Sequence, residues 1–320
     1  MQPATEDTPR AWAIVIFASR ESLNALVCTI KSAQIAGRGT AGIDVVVNGN
    51  PGLAMALASQ LCSPEFTTER TPITVWEIAL GDKANAWNQY LHRIWSDEKI
   101  AFFIDGYVRL NPDSVRLLGD AIATQVDVLG GTGVPNVGAA SNTQHAQSPP
   151  ASGFHGNFCC LTGAAIEKFR HQNIHLPFGL YRVDSVMGAM LSLGFDPVRI
   201  AWVANRIYVH PAASWQTDPK HWWRISDIRA QIKRIFRQSR GVLENLAAKD
   251  HLVVRKQPPE MMPATAAELI LEWVQRCPRQ ANKVLRYNPL ARRALAEIKQ
   301  STGTTVDNAA PIMRWSNKTS

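Results

Sequence analysis

Three short apolar runs, each followed by apolar residues at helical spacing, and a fourth run closing the series set the rhythm of the first hundred positions. Residues 12–17 (WAIVIF) are apolar throughout, and Leu23, Leu26, Val27, Ile30 and Ala33 then mark one face of a helix. Residues 43–47 (IDVVV) predict a second strand, stopped by the turn-forming Asn48-Gly49-Asn50-Pro51-Gly52 and followed by a helix over 53–61. Residues 73–78 (ITVWEI) predict a third strand, after which Trp87, Tyr90, Leu91 and Ile94 face one way along a helix that starts beyond Gly81; residues 100–104 (IAFFI) predict the fourth. Strands that are apolar on both faces and alternate with amphipathic helices predict an α/β fold with parallel strands covered on both sides. Ligands in such folds bind outside the strands' carboxyl ends, so the loops after residues 17, 47, 78 and 104 are the expected site.

The rhythm weakens beyond the fourth strand. A strand over 126–130, another over 156–161, helices over 163–171 and 183–193, and a strand over 199–209 are predicted, with the polar stretch 138–153 between them read as a mobile loop. From Trp222 the character changes. Ile225, Ile228, Ile232 and Ile235 form an apolar stripe on a helix over 225–240, while Arg229, Lys233, Arg237 and Arg240 occupy another face. A linker over 255–264, helices over 265–275 and 289–299, and a frayed last twenty residues complete the expectation. The boundary is placed at residue 240, giving domains 1–240 and 241–320, the second a helical, basic extension with a flexible tail.

Composition removes several classes of function. Of 320 residues 46% are hydrophobic and 19% charged, and no apolar run approaches the roughly 18 residues of a membrane span. The five cysteines have no CxxC or CxxH spacing, which argues against both a disulfide framework and a zinc site. The polar, acidic opening MQPATEDTPR is unlike a secretory signal, so a cytoplasmic protein is expected. Charge is uneven: residues 220–320 hold 19 of the 34 Lys and Arg but 8 of the 26 Asp and Glu, so this part carries +11 and the first 219 residues −3. A body of that sign is unsuited to gripping phosphate backbones, so no nucleic-acid partner is expected. The basic helix 225–240 reads most simply as a solvated face over a packed stripe, the functional alternative being peripheral contact with the inner face of a membrane.

Asp105 stands directly after the fourth apolar run, in FFIDGYVRLNPDSV. A carboxylate there points into the ligand crevice, where it holds a ribose hydroxyl or a metal; the plainer alternative is an Asx turn. Trp222, beside Trp223, offers an aromatic face of the kind that stacks on sugar rings, the alternative being core packing. No GxGxxG follows the first strand, which disfavours a dehydrogenase.

Six segments in order resemble glycosyltransferase family 2, inverting enzymes of the GT-A fold: AIVIFASRESLNALVCTIKSA, IDVVVNGN, GDKANAWNQYL, FFIDGYVRLNPDSVRLL, LPFGLYRVDSVMGAMLSLGF and QIKRIFRQSRG. The resemblance covers about the first 240 residues and implies a GT-A-type, Rossmann-like, mostly parallel sheet flanked by helices. It implies transfer of a sugar, of hexosyltransferase type, from a nucleoside-diphosphate sugar to a glycan or lipid-linked acceptor. Donor binding then falls to Ala18, Glu21, Asn48, Lys83 and Asp105, general base catalysis to Asp184, and acceptor contacts to His155 and Asn157, joined by Trp222. A divalent metal, Mn²⁺ or Mg²⁺, is implied on Asp105 and His210, with Arg182, Arg206 and Arg224 as alternative cations. The sequence departs from the family at Tyr107, which stands where an Asp binds the metal; a phenol with pKa about 10 is a poor ligand. Asn48 likewise replaces an Asp that reads the base. Two rivals follow from the departures: a catalytically degenerate binding or scaffolding protein, and a nucleotidyltransferase.

Overall fold

The computed structural model describes residues 12–67, 71–136, 153–217, 225–300 and 309–318. The expectations for the N-terminal ten residues, the loop up to residue 152, His221, Trp222, Trp223 and Arg224 lie outside them. The four apolar runs are strands β1 (Trp12–Ala18), β2 (Ala41–Asn48), β3 (Ile73–Ile78) and β4 (Ile100–Asp105). Helices α1 (Leu23–Ala36), α2 (Pro51–Leu61), the short α3 (Pro64–Thr67) and α4 (Lys83–Gln89) connect the first three and lead to the fourth, with a π-turn over Tyr90–Ile94 extending α4. Local chemistry starts them. Ser22 caps α1 through Ala25 N–H, Asn50 caps α2 through Leu53 N–H with Pro51 at the first position, and Asp82 caps α4 through Asn85 N–H.

β1 lies between β2 and β4, all parallel, with Phe17 level with Asp105 and Ala18 level with Val47; β3 pairs parallel to β2 with Ile78 beside Asn48. The carboxyl ends of four strands therefore share one edge. The sheet has nine strands in the order β5-β8-β6-β7-β4-β1-β2-β3-β9, including β5 (Val108–Leu110), β6 (Gly130–Pro135), β7 (Phe158–Thr162), β8 (Ile207–Thr217) and β9 (Ile312–Ser316). β7 is antiparallel to β4 and to β6, β8 is parallel to β6, and β5 is antiparallel to β8. This mixed, partly parallel sheet flanked by helices matches the expected fold class.

Alternate residues of the strands feed two cores. Ile14, Ile16, Val45, Val47, Phe102 and Ile104 pack with Leu26 and Ile30 of α1 and Leu57 of α2. Val15, Phe17, Val46 and Phe103 pack on the other side with Trp87, whose ring lies 4.0 Å from that of Phe103 between centroids. Each such fully buried aromatic contributes about 1.5–3 kcal/mol. The second core continues through α6 (Gly163–His171) and α7 (Val183–Ser192) into Leu243 and Ala247 of α8 (Ile225–Lys249) and Trp273 of α9 (Ala266–Arg276). α10 (Pro278–Tyr287) and α11 (Pro289–Gln300) close this side, and α5 (Ser114–Ala123) covers the other.

Several expectations are corrected. The strand placed at 126–130 begins at Gly130, and the one placed at 199–209 begins at Ile207 and runs to Thr217. Its second half carries Pro211 and mostly exposed positions, because residues 210–213 bulge out of the pairing between Thr132↔Val209 and Val134↔Ser214. Residues 312–316, expected to fray, form β9 antiparallel to β3. Arg314 donates twice to Glu77, at 2.7 and 2.9 Å, and Asn317 accepts from Ile73 N–H at 2.6 Å, which fixes this edge. The helix expected to end at 240 runs on to Lys249. Ile235, assigned to its packing stripe, is exposed, whereas Arg240, assigned to its solvent face, pairs with Glu244.

Gly49, with φ +66°, shows why the turn after β2 needs glycine: a Cβ there would sit 2.3 Å from Gly81 Cα and 2.6 Å from Gly81 N. The turns after β2 and β3 thus meet backbone to backbone. Gly49→Ala is expected to cost about 2–3 kcal/mol from left-handed strain plus overpacking, read as a lower denaturant midpoint.

Candidate functional site

Asp105 is the last residue of β4 and is almost fully buried. Its Oδ1 accepts from the Lys83 ammonium and its Oδ2 from the Tyr107 hydroxyl at 2.9 Å. The same hydroxyl lies 3.4 Å from Asn157 Oδ1. Residues from the start of α4, the end of β4, the β4–β5 turn and the segment before β7 therefore meet in one chain of polar contacts. Lys83 was expected at the donor, but its reach to Asp105 was not. Burial disfavours its charge, while Asp105 beside it and Asp184 beyond more than offset this and hold its pKa above the ordinary lysine value. Tyr107 keeps its proton: burial of the hydroxyl first, then the negative charge of Asp105, pushes its pKa up.

Asp184 occupies the first turn of α7 and is half-buried. Among the described residues its carboxylate makes no hydrogen bond or ion pair, and it lies against Gly156, where a Cβ would come within 3.2 Å of Asp184 Cβ. It acts electrostatically on Lys83 and on the buried Cys159 of β7, which places it on the same edge of the sheet. Asp184, Lys83, Asp105 and Asn157 are thus brought together; His155, one residue before Gly156, has its backbone N–H 3.3 Å from Thr132 Oγ1.

Other predicted residues make contacts within the protein. Glu21 accepts from Ser19 N–H at 2.6 Å and Arg20 N–H at 2.9 Å, tying down the loop after β1. Asn48 is buried and donates to Ala18 O at 3.0 Å, and Asn50 donates to Ser19 O at 2.8 Å. His210 lies in the bulge of β8, where its Nδ1 accepts from Ala212 and Ala213 N–H at 3.2 and 3.0 Å. A neutral ring so held carries its proton on Nε2, which removes that nitrogen as a ligand. Arg206 donates to Ser192 O at 3.2 Å, and the stem of Arg182 packs on Gly241 with its buried Nε lacking a hydrogen-bond partner among the described residues. In the described part of the basic helix, Arg237 lies over the Tyr181 ring and Arg240 pairs with Glu244.

The support beneath Asp184 was missed entirely. Glu244 of α8 is fully buried, and its Oε2 accepts from Tyr181 and Arg182 N–H, each at 2.9 Å, while Oε1 accepts from Arg240 Nε at 3.0 Å. Arg240 also donates to Gly179 O at 2.8 Å, and Gly179 N–H donates to Asp82 Oδ2 at 3.0 Å. Burial raises the Glu244 pKa, against the pull of Arg240 and the two N–H groups. The i,i+4 spacing of Arg240 and Glu244 and the position of Asp82 before a helix were the signals available in the sequence.

No family model and no curated protein matches this chain. Among solved structures, its fold is similar to that of the mannosyltransferase PcManGT from Pyrobaculum calidifontis in complex with GDP-Man and Mn²⁺, with a TM-score of 0.55 over 92% of this chain and 76% of that one, at 15% identity. The residues here do not fit the divalent metal that the family resemblance implies. Asp105 has both oxygens engaged by its own neighbours, Tyr107 is a protonated phenol, and among the described residues no three or more His, Cys, Asp or Glu gather as a metal site. No helix among the described residues is long and apolar enough to cross a membrane.

Proposed function

We propose that the protein is an inverting glycosyltransferase that moves a sugar from a nucleoside-diphosphate donor to a hydroxyl acceptor, a glycan or a lipid-linked sugar. The observation that carries this reading is the Asp184 carboxylate, without a hydrogen-bond or ion-pair partner among the described residues and close enough to act on Lys83 of the Lys83–Asp105–Tyr107–Asn157 chain, at the carboxyl edge of a sheet similar in fold to a sugar-nucleotide transferase. The first strands form a GT-A-type nucleotide-binding layer, with the helices beyond residue 240 as an extension supporting it. The donor lies over Ala18, Gly49 and Gly81, with Lys83 and Asp105 at its phosphates and ribose. Glu21 and Asn48 shape that floor through the β1 loop rather than touching the donor. Acceptors approach Asn157 and His155.

In the reaction the acceptor oxygen attacks the anomeric carbon as the bond from that carbon to the diphosphate oxygen breaks. The electron pair leaves with the diphosphate, and the hydroxyl proton passes to Asp184. Lys83 stabilises the charge that develops on the leaving oxygen. The products are a glycoside of inverted configuration and a nucleoside diphosphate.

The test is a panel of nucleotide sugars offered with oligosaccharide and lipid-linked acceptors, following release of the nucleoside diphosphate. Diphosphate release tied to acceptor glycosylation is expected. Pyrophosphate release from nucleoside triphosphates offered with sugar 1-phosphates would instead identify a nucleotidyltransferase, and binding without turnover for any donor would leave a binding protein. Asp105→Asn should weaken donor binding by about tenfold, since it removes the charge that fixes Lys83, and calorimetry reads this directly.

A further inference from the structure

We infer that this site binds its diphosphate without a divalent cation, with the Lys83 ammonium, docked on Asp105, standing where the metal of related enzymes would stand. The inference rests on the glycosyltransferase reading above and deepens it.

Three features of the site lead there. First, both oxygens of Asp105 are engaged by fixed partners, Lys83 on Oδ1 and Tyr107 on Oδ2. A dication on the remaining lone pairs would sit beside an ammonium already at hydrogen-bond distance, and two like charges at that range repel strongly in a half-buried site. Second, the position that would supply a second carboxylate is Tyr107, whose proton is committed to Asp105. The further oxygen in the chain is the neutral amide of Asn157, so the set offers one carboxylate where a small dication wants several hard oxygens. Third, Lys83 has three N–H groups and Asp105 takes one, which leaves two for phosphate oxygens.

The arrangement is coherent as a lysine site. Asp105 orients the ammonium, and Tyr107, by donating to the other oxygen, keeps the carboxylate turned toward Lys83. Tyr107 is a positioning residue here.

The experiment measures binding of GDP, UDP, CDP, ADP and dTDP by calorimetry to the full chain, in excess EDTA and in excess Mn²⁺. For the preferred nucleotide, the wild-type Kd should agree within about threefold between the two buffers. Lys83→Met should weaken binding by about tenfold or more in EDTA, with Lys83→Arg retaining most of the affinity. Tyr107→Asp, which returns the second carboxylate and frees Asp105 Oδ2, should bind about tenfold more tightly with Mn²⁺ than in EDTA. A wild type that needs Mn²⁺ for tight binding overturns the inference and leaves the glycosyltransferase reading intact. So does undiminished binding by a folded Lys83→Met, folding being read from its melting curve. Failure of all five nucleotides to bind in either buffer overturns both.

Discussion

Asp184→Asn is expected to lower sugar transfer by about 10²–10⁴-fold while leaving donor binding within a small factor of the wild type. The change keeps the shape of the side chain and removes its ability to accept the acceptor's proton. Asp184 stands in the first turn of α7, where a carboxylate is also favoured simply by the helix end, so the position alone does not distinguish catalysis from capping. Its surroundings favour catalysis. A stabilising carboxylate at a helix end hydrogen-bonds to backbone N–H groups, as Asp82 does at the start of α4, whereas Asp184 makes no such bond among the described residues. The glycine at 156 lets the backbone come against it, where a Cβ would press on the Asp184 side chain at 3.2 Å. The measurement pairs initial rates of nucleoside diphosphate release with calorimetric donor affinity on the same preparation. Near-normal turnover with the physiological acceptor would remove Asp184 from the chemistry, and an unchanged melting temperature alongside lost turnover would separate catalysis from folding.

The parallel half of the fold was legible because its signal is local. Runs such as WAIVIF and IAFFI are buried on both faces, so every position is apolar, and the helices between them face the sheet with a regular stripe. The other half hides its pairing in long-range polar contacts. β9 reads as IMRWS with exposed Ile312 and Met313, and what fixes it is Arg314 on Glu77, a pairing across 237 positions that no window of sequence contains. β8 is interrupted by the bulge around His210, which scrambles its alternation. At the site, Asp105 was legible from its place after an apolar run, and Asp184 only from the family resemblance. The role of Tyr107 was not legible. As a departure from a metal motif it suggested loss, yet its hydroxyl completes the hold on Asp105. Lys83 was similarly obscured, since the reach from the start of α4 to the end of β4 depends on how the two glycine turns at 49 and 81 bring their strands together.

Glu244→Ala is expected to destabilise the fold by about 3 kcal/mol, because it strips acceptors from two backbone N–H groups and from Arg240 in a dry environment. For a chain of this size that corresponds to a melting temperature lower by about 4–5 °C. The functional consequence follows from where those N–H groups lie. Tyr181 and Arg182 immediately precede the turn of α7 that carries Asp184, so under the proposed function Glu244 would set the angle at which Asp184 meets the acceptor. Turnover should therefore fall more than donor affinity, since the donor side is held by Lys83 and Asp105 from α4 and β4. Glu244→Gln separates the two effects. Its carbonyl oxygen can still accept from both N–H groups, while its amide faces Arg240, which is partly exposed and keeps its bond to Gly179 O. Turnover close to wild type with a modest loss of stability is expected of Gln, and loss of both of Ala. Equal turnover in Ala, Gln and wild type at a temperature where all three are folded would show that Glu244 only holds the helix in place.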